Sequence, residues 1–324
     1  LPGVMSFIPY YGFTPSYTTG VYSRDSFKSQ YESGIYRFRW LGRQFLLLTH
    51  DYVKHRFPDP LPESPRLKVL DQSATERFYA AYFLEHTFFF ILFSIAYYFL
   101  LSLPPFGLEE RFRILLTMVV QLLISMAQYV VTPYDSPSFF FSVLAIVMLT
   151  RQHFAFFLLG CILTLISTLI RESSALAIAF YLAYYVQEKK KDFDFSVTAL
   201  KSLWLRPALL LSAFLLPYIG LRIYFGWYSA TAAVLIWEKM FQIPNVYGLY
   251  FVAAMAVILL VMADNRRSRQ FLLLFWFFCL PYIVYVMLFG LLIEIRLFLP
   301  LIFLGLVIAL QPQAAEPPVS HGPA

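Results

Sequence analysis

Charge and cysteine are both scarce in this chain, and the usual soluble-enzyme motifs are missing. Only 14% of its 324 residues are Asp, Glu, Lys or Arg, whereas soluble domains carry about 25%. That shortage excludes an ordinary soluble protein. Cys161 and Cys279 are the only cysteines, and both lie inside apolar runs. Two such thiols support neither a disulfide framework nor a thiolate metal site, and they read as packing residues. No phosphate-binding Gly-rich loop, dinucleotide fingerprint, HExxH, CxxC or GxSxG occurs, so no nucleotide-driven or soluble-hydrolase chemistry is implied. The formal charge of +6 is spread over short turns between apolar blocks. With no continuous basic face, nucleic acid is not an expected partner.

What the chain has instead is hydrocarbon and aromatic surface. Hydrophobic residues make up 60%, aromatics 19%, and the mean hydropathy is +0.66. Nine apolar segments, near 83–103, 112–131, 138–149, 153–170, 174–186, 203–221, 246–263, 270–289 and 297–310, approach or reach membrane-span length. The expected fold class is an all-α polytopic membrane protein of about nine transmembrane segments, several of them short or broken. At about 1.5 Å per residue, segments of 12 or 13 residues such as 138–149 and 174–186 reach only about 20 Å of a roughly 30 Å hydrocarbon core. They are expected to end inside the protein, beside a cavity.

The expected organisation has three parts. Residues 1–82, polar, aromatic and rich in proline, read as an outer-face loop and interfacial region. Residues 83–310 form the helical membrane domain, and 311–324 a disordered cytoplasmic tail. The stretch 222–245 around Trp227, Trp237 and Lys239 reads as an interfacial helix or lid. The sequence opens at Leu1, and the span count is left open by one helix upstream. One set of connections holds eleven Lys and Arg, including Arg111, Arg151, the run Lys189 to Lys191 and Arg266, Arg267 and Arg269. The alternate set holds four, Arg171, Arg222, Lys239 and Arg296. The positive-inside rule makes the first set cytoplasmic. The ten Lys and Arg of 1–82 run against this orientation, but regions longer than about 60 residues escape the rule.

With this orientation the polar residues at span ends all face outward: Glu85 and His86, Tyr134 and Asp135, Arg171 and Glu172, and Glu294 with Arg296. An ionised group at membrane depth costs roughly 2.5–3.5 kcal/mol, so a set of them calls for pairing, water or function. Each also has a plainer reading. Asp135, between Pro133 and Pro137, is suited to cap the short helix after it. Arg171 and Glu172 suit an interfacial pair; as neighbours they project about 100° apart and bond other segments more easily than each other. Glu294 and Arg296 suit structural ion pairing with other helix ends, and Glu85 and His86 the point where water begins. Four independent caps would have no need to share one face, so the conjunction argues for a wet outer cavity. Residues 31–48 add Arg37, Arg39 and Arg43 among aromatics, a pattern suited to lipid headgroups and phosphate.

Four stretches, YxxGxYRFRxL (Tyr31, Gly34, Tyr36, Arg37, Arg39, Leu41), YDSP (Tyr134 to Pro137), LIRESSAL (Arg171, Glu172) and ExRxFxPL (Glu294, Arg296, Phe298, Pro300), occur in this order. Together they resemble the bacterial integral-membrane glycosyltransferases of GT-C type, and more narrowly their poorly characterised relatives. The resemblance implies a polyprenyl-phosphate-linked sugar as donor and membrane lipid as surroundings. It also implies an acidic residue in the first outer loop and an active face outward on the bacterial cytoplasmic (inner) membrane. That loop offers Asp25, Asp51, Asp59 and Asp71. The expected reaction is sugar transfer to an acceptor hydroxyl. Asp135 is the first choice of base, with Glu172 and Asp25 behind it; Arg171, Arg296 and Arg39 are phosphate partners, and Tyr134, Glu294, Glu85 and His86 are supporting residues. Asp135, Glu172 and Glu294 carry hard oxygens that suit a divalent cation such as Mg or Mn. A lipid-linked glycan polymerase, a flippase and a noncatalytic membrane subunit remain as alternatives; a flippase would be expected to show internal repeats and a midplane cavity.

Overall fold

The computed structural model describes residues 34–57, 76–104, 106–127, 134–151, 153–189, 197–226, 243–289 and 295–312. Every regular element among them is helical. In chain order the α-helices are α1 Trp40–Arg56, α2 Glu76–Ser102, α3 Glu110–Ala127, α4 Asp135–Leu149, α5 Phe154–Ile170, α6 Ala175–Lys189, α7 Val197–Phe225, α8 Ile243–Met262, α9 Arg266–Phe289 and α10 Leu299–Ala309. Short 3-10 turns at Gly34–Phe38, Glu172–Ser174 and Ile295–Leu297 precede α1, α6 and α10.

Each of the nine apolar segments falls on one of α2 to α10, which bears out the helical fold class without showing nine spans. Among the described residues, three helices have both the length and the apolar character to cross a membrane: Ala80–Ser102, Trp204–Phe225 and Arg266–Met287. The others are shorter or more polar. Helix α4, with 15 residues, rises only about 22 Å. Residues 40–56, placed by composition within a loop-like region, instead form a 17-residue helix. Its burial explains the difference: Leu46 and Val53 pack with Tyr82, Tyr134 and Ile170, and tertiary packing stabilises a helix that weak amphipathicity does not advertise. The predicted lid lies largely outside the described residues, as do residues 1–33 and 313–324.

Two helices form the centre. All eleven residues of α10 are buried, which is why its sequence LPLIFLGLVIA is apolar on every face. Helix α4 is buried over most of its length and lies against α2 and α5. Aromatic rings join these layers: Phe303 of α10 meets Phe93, Tyr97 and Phe139 with ring centroids 5.4–5.9 Å apart. The Tyr97 hydroxyl donates to the Phe303 carbonyl at 2.9 Å, so the polar atom of a fully buried ring is satisfied. Between α4 and α5 the contact is polar instead. Ser142 and Ser167 share a hydrogen bond of 2.9 Å, and at the end of α5 Thr168 and Ser174 of the following turn share another of 2.9 Å. Small hydroxyl-bearing residues let helices approach closely where surrounding lipid gives no hydrophobic drive. Gly160 serves the same contact, because a Cβ there would come within 2.7 Å of the Leu149 side chain.

The outward faces are strongly apolar. On α2, Leu84, Phe88, Ile91, Ile95 and Phe99 form a stripe whose members are each about half exposed, while Glu85 and His86 turn inward and are buried. Similar stripes run along α3, α7 and α9.

Candidate functional site

The charged residues gather at one end of the bundle because helix ends meet there. Asp135 opens α4, Arg171 and Glu172 occupy the break between α5 and α6, Arg296 precedes α10, Arg222 ends α7 and Arg39 precedes α1. Arg171 sits in extended backbone, φ −161° and ψ 144°, which turns the chain sharply before the Glu172–Ser174 turn. That break sends the two neighbours to different partners, as their spacing suggested.

Asp135 is fully buried, and its carboxylate lies between two guanidiniums. Arg171 Nη1 bonds its Oδ1, and Arg296 Nη1 lies 3.8 Å from its Oδ2. Glu172 is likewise shared: Arg39 Nε lies 3.5 Å from Oε2 and Arg222 Nη2 3.7 Å from Oε1. The side chain of Glu172 retains 19% exposure where that of Asp135 has none. The N-cap position of α4 belongs to Tyr134, whose side chain makes no capping hydrogen bond, and Asp135 is the first residue of the helix. Helix dipoles sharpen the pattern. Asp135 and Glu172 stand at helix N-terminal ends, where negative charge is stabilised, whereas Arg39 and Arg296 stand just ahead of N-termini, which repel cations. Each of these two guanidiniums has a carboxylate close by.

Tyr134 links the two clusters. Arg39 lies over its ring at 4.2 Å and Arg171 at 5.5 Å, and Tyr36 packs beside it with centroids 6.4 Å apart. Cation–π contacts of this kind contribute about 0.5–2 kcal/mol each. Tyr134 is in turn reached by α1 through Gly42, where a Cβ would stand 2.9 Å from Tyr134 Cβ and 3.3 Å from Ile170. A glycine at this point allows Arg39 to reach Glu172.

Four residues of the assembly were not singled out beforehand as site residues: Arg222, Tyr218, Ser136 and Gly42. Arg222 lies 3.5 Å above the Tyr218 ring, donates to the Tyr218 carbonyl at 3.0 Å and lies 4.6 Å from the Phe38 ring. Its signal was the same as that of Arg171 and Arg296, an arginine at the end of an apolar run, but it served only to set orientation. His86 joins the cluster through Ser136, whose hydroxyl lies 2.9 Å from Nε2. Glu85 is buried with no hydrogen-bond partner for either carboxylate oxygen among the described residues. Arg37 donates to the Gly226 carbonyl at 2.8 Å, tying the turn before α1 to the end of α7. Asp51 lies on α1 beside His50 at 3.3 Å. Asp25, Asp59, Asp71 and Glu294 lie outside the described residues.

Among the described residues no group of three or more His, Cys, Asp and Glu side chains is placed to hold a metal ion. The two described carboxylates expected to ligate a divalent cation are each faced by two guanidiniums, an arrangement that suits an anion and not a cation. No family model, curated protein or solved structure matches the chain.

Proposed function

We propose that this chain is an integral-membrane glycosyltransferase of GT-C type that moves a sugar from a polyprenyl-phosphate donor to an acceptor hydroxyl at the outer membrane surface. One observation carries the reading: Arg39, Arg171, Arg222 and Arg296 converge, with Asp135 and Glu172 between them, at a single end of the helical bundle. Guanidiniums stay charged in a low-dielectric site and present a planar fork that matches phosphate oxygens. The half-exposed apolar stripes of α2, α3, α7 and α9 are surfaces that lipid covers and water does not.

In the proposed step the acceptor oxygen bonds to the anomeric carbon as the carbon–oxygen bond to phosphate breaks. The phosphate leaves with the electron pair, its charge stabilised by Arg171 and Arg296. The acceptor proton passes to a carboxylate. Full burial and double pairing suit Asp135 to holding Arg171 and Arg296 in place. Glu172, partly exposed, is the described carboxylate open to an incoming hydroxyl.

The test is transfer of a labelled sugar from polyprenyl-phosphate-linked donors by the full chain in proteoliposomes. Arg171→Gln and Arg296→Gln are each expected to lower turnover at least about 100-fold, the cost of removing one charge-stabilising donor. Unaltered turnover in both variants would reject the assignment. The sharing of each carboxylate by two arginines also favours a second reading, a noncatalytic membrane subunit in which ion pairs only join helices. In that case the same variants lower thermal stability while the wild-type chain transfers no sugar.

A further inference from the structure

Helix α7 is held to the bundle differently on the two sides of Pro217. From Trp204 onward, Leu210 and Arg222 are its two buried residues. Before the proline the contact is apolar: Leu210 and Phe214 pack with Leu149, Phe157 and Tyr181, and Arg206 lies over the Phe157 ring at 5.5 Å. After it, no side chain of residues 218–225 joins an apolar cluster of the described residues, and Ile223 and Tyr224 are 70% and 81% exposed.

This end is held by a charge instead. Arg222 Nη2 lies 3.7 Å from Glu172 Oε1, and the guanidinium lies 4.6 Å from the Phe38 ring. Just past the helix, Gly226 takes a φ of +79° and its carbonyl accepts from Arg37 at 2.8 Å. The Glu172 pair is long and its carboxylate partly exposed, and a pair of this kind shifts an equilibrium by about fivefold at most. Such a contact holds the end in place and still lets it go.

Pro217 supplies the pivot. A proline inside a helix has no N–H for the carbonyl four residues back, here that of Ala213, and its ring crowds that carbonyl, so the helix bends most easily there. Pro207 interrupts α7 in the same way, but Arg206 and Leu210 anchor the chain on both sides of it. Pro217 has an apolar anchor on one side and an ion pair on the other.

We propose that residues 218–225 of α7 form a gate over the charged cluster, pivoting at Pro217 and latched by Arg222 on Glu172. Closed, the gate keeps a guanidinium against each oxygen of Glu172. Open, it withdraws Arg222 and leaves Glu172 Oε1 to an incoming group. Hinges of this kind govern access to a reactive group from outside it. The gate does not depend on the proposed reaction; within that reaction it decides when Glu172 is free to take a proton.

The gate is an arm of eight residues, about 12 Å long, so a bend of about 20° at Pro217 moves its tip by about 4 Å. Nitroxide labels on Tyr224→Cys and Leu84→Cys, both at exposed positions, read that movement by pulsed electron spin resonance on the full chain in nanodiscs. Buried Cys161 and Cys279 add little background. A second pair, Leu84→Cys with Leu211→Cys, reads α7 before the pivot. Arg222→Gln and Glu172→Gln break the latch from opposite sides. Each is expected to raise severalfold a second Tyr224 distance, displaced by about 4 Å or more, with the Leu211 distance unchanged. Adding Pro217→Ala, which restores a donor to the Ala213 carbonyl, is expected to suppress that second distance. Tyr224 distances in both latch variants equal to those without them would overturn the latch. A joint shift of the Tyr224 and Leu211 distances would overturn the pivot, because the helix or the fold would then move as a whole. Persistence of the second distance with Pro217→Ala would overturn it as well.

Discussion

Asp135 and Glu172 are both carboxylates held between two arginines, yet their surroundings set them apart. Asp135 has no exposed surface, and neutralising it leaves two buried guanidiniums short of a counter-charge. Removing one member of a buried pair costs about 3–5 kcal/mol. Asp135→Asn is therefore expected to lower the thermal stability of the detergent-solubilised chain by that order, and to abolish transfer as well. Glu172 keeps partial contact with water, and its pairs at 3.5 and 3.7 Å are long, so Glu172→Gln should cost about 1 kcal/mol or less. Thermal unfolding of the two variants side by side checks this, and equal losses would contradict it. The sequence located Asp135, Arg171, Glu172 and Arg296 through charges at the ends of apolar runs, where insertion energy makes them conspicuous. It did not say which carboxylate would be sealed away, because burial depends on which helix ends meet over it.

At the scale of the helix, close approach decides the site. Gly42 permits α1 to lie on Tyr134, and a methyl group there would overlap Tyr134 Cβ at 2.9 Å. Overpacking of this kind costs about 1–3 kcal/mol. Gly42→Ala is expected to push α1 outward, separate Arg39 from Glu172, and weaken farnesyl phosphate binding severalfold, measured by titration. Gly160 offers the comparison, since its Cβ would strike Leu149 at the far end of α4. Gly160→Ala should lower the unfolding temperature while leaving that binding nearly unchanged; a loss of binding equal to that of Gly42→Ala would show that both act only through stability. Helix existence was legible from apolar length for α2 to α10, because hydrophobic runs of that size have few other folds. Helix α1 was not, since its buried face is assembled from Leu46 and Val53 together with side chains of three other segments.

Taken as a whole, the molecule has two chemically different ends. Glu188 pairs with Arg267 at one, and the arginine cluster lies at the other. The proposed orientation places the first inside and the second outside. Because Cys161 and Cys279 are both buried, introduced cysteines report with little background. Tyr224→Cys, at a position 81% exposed beyond Arg222, is expected to react with an impermeant maleimide in right-side-out vesicles, and Glu188→Cys only after the membrane is opened. The reverse pattern would invert the topology.

Composition alone determined that this chain is helical and apolar on its outside, for too few charges exist to clothe it in water and long hydrocarbon runs satisfy their backbone as helices. Which charged residues meet was decided only when the helices packed. Arg39, Asp135, Glu172, Arg222 and Arg296 are separated by up to 257 positions, and no local pattern encodes such a meeting. Close packing at Gly42, the extended break at Arg171 and the buried α10 bring those ends together. The energy that orders them belongs to the assembled interfaces and to no single segment.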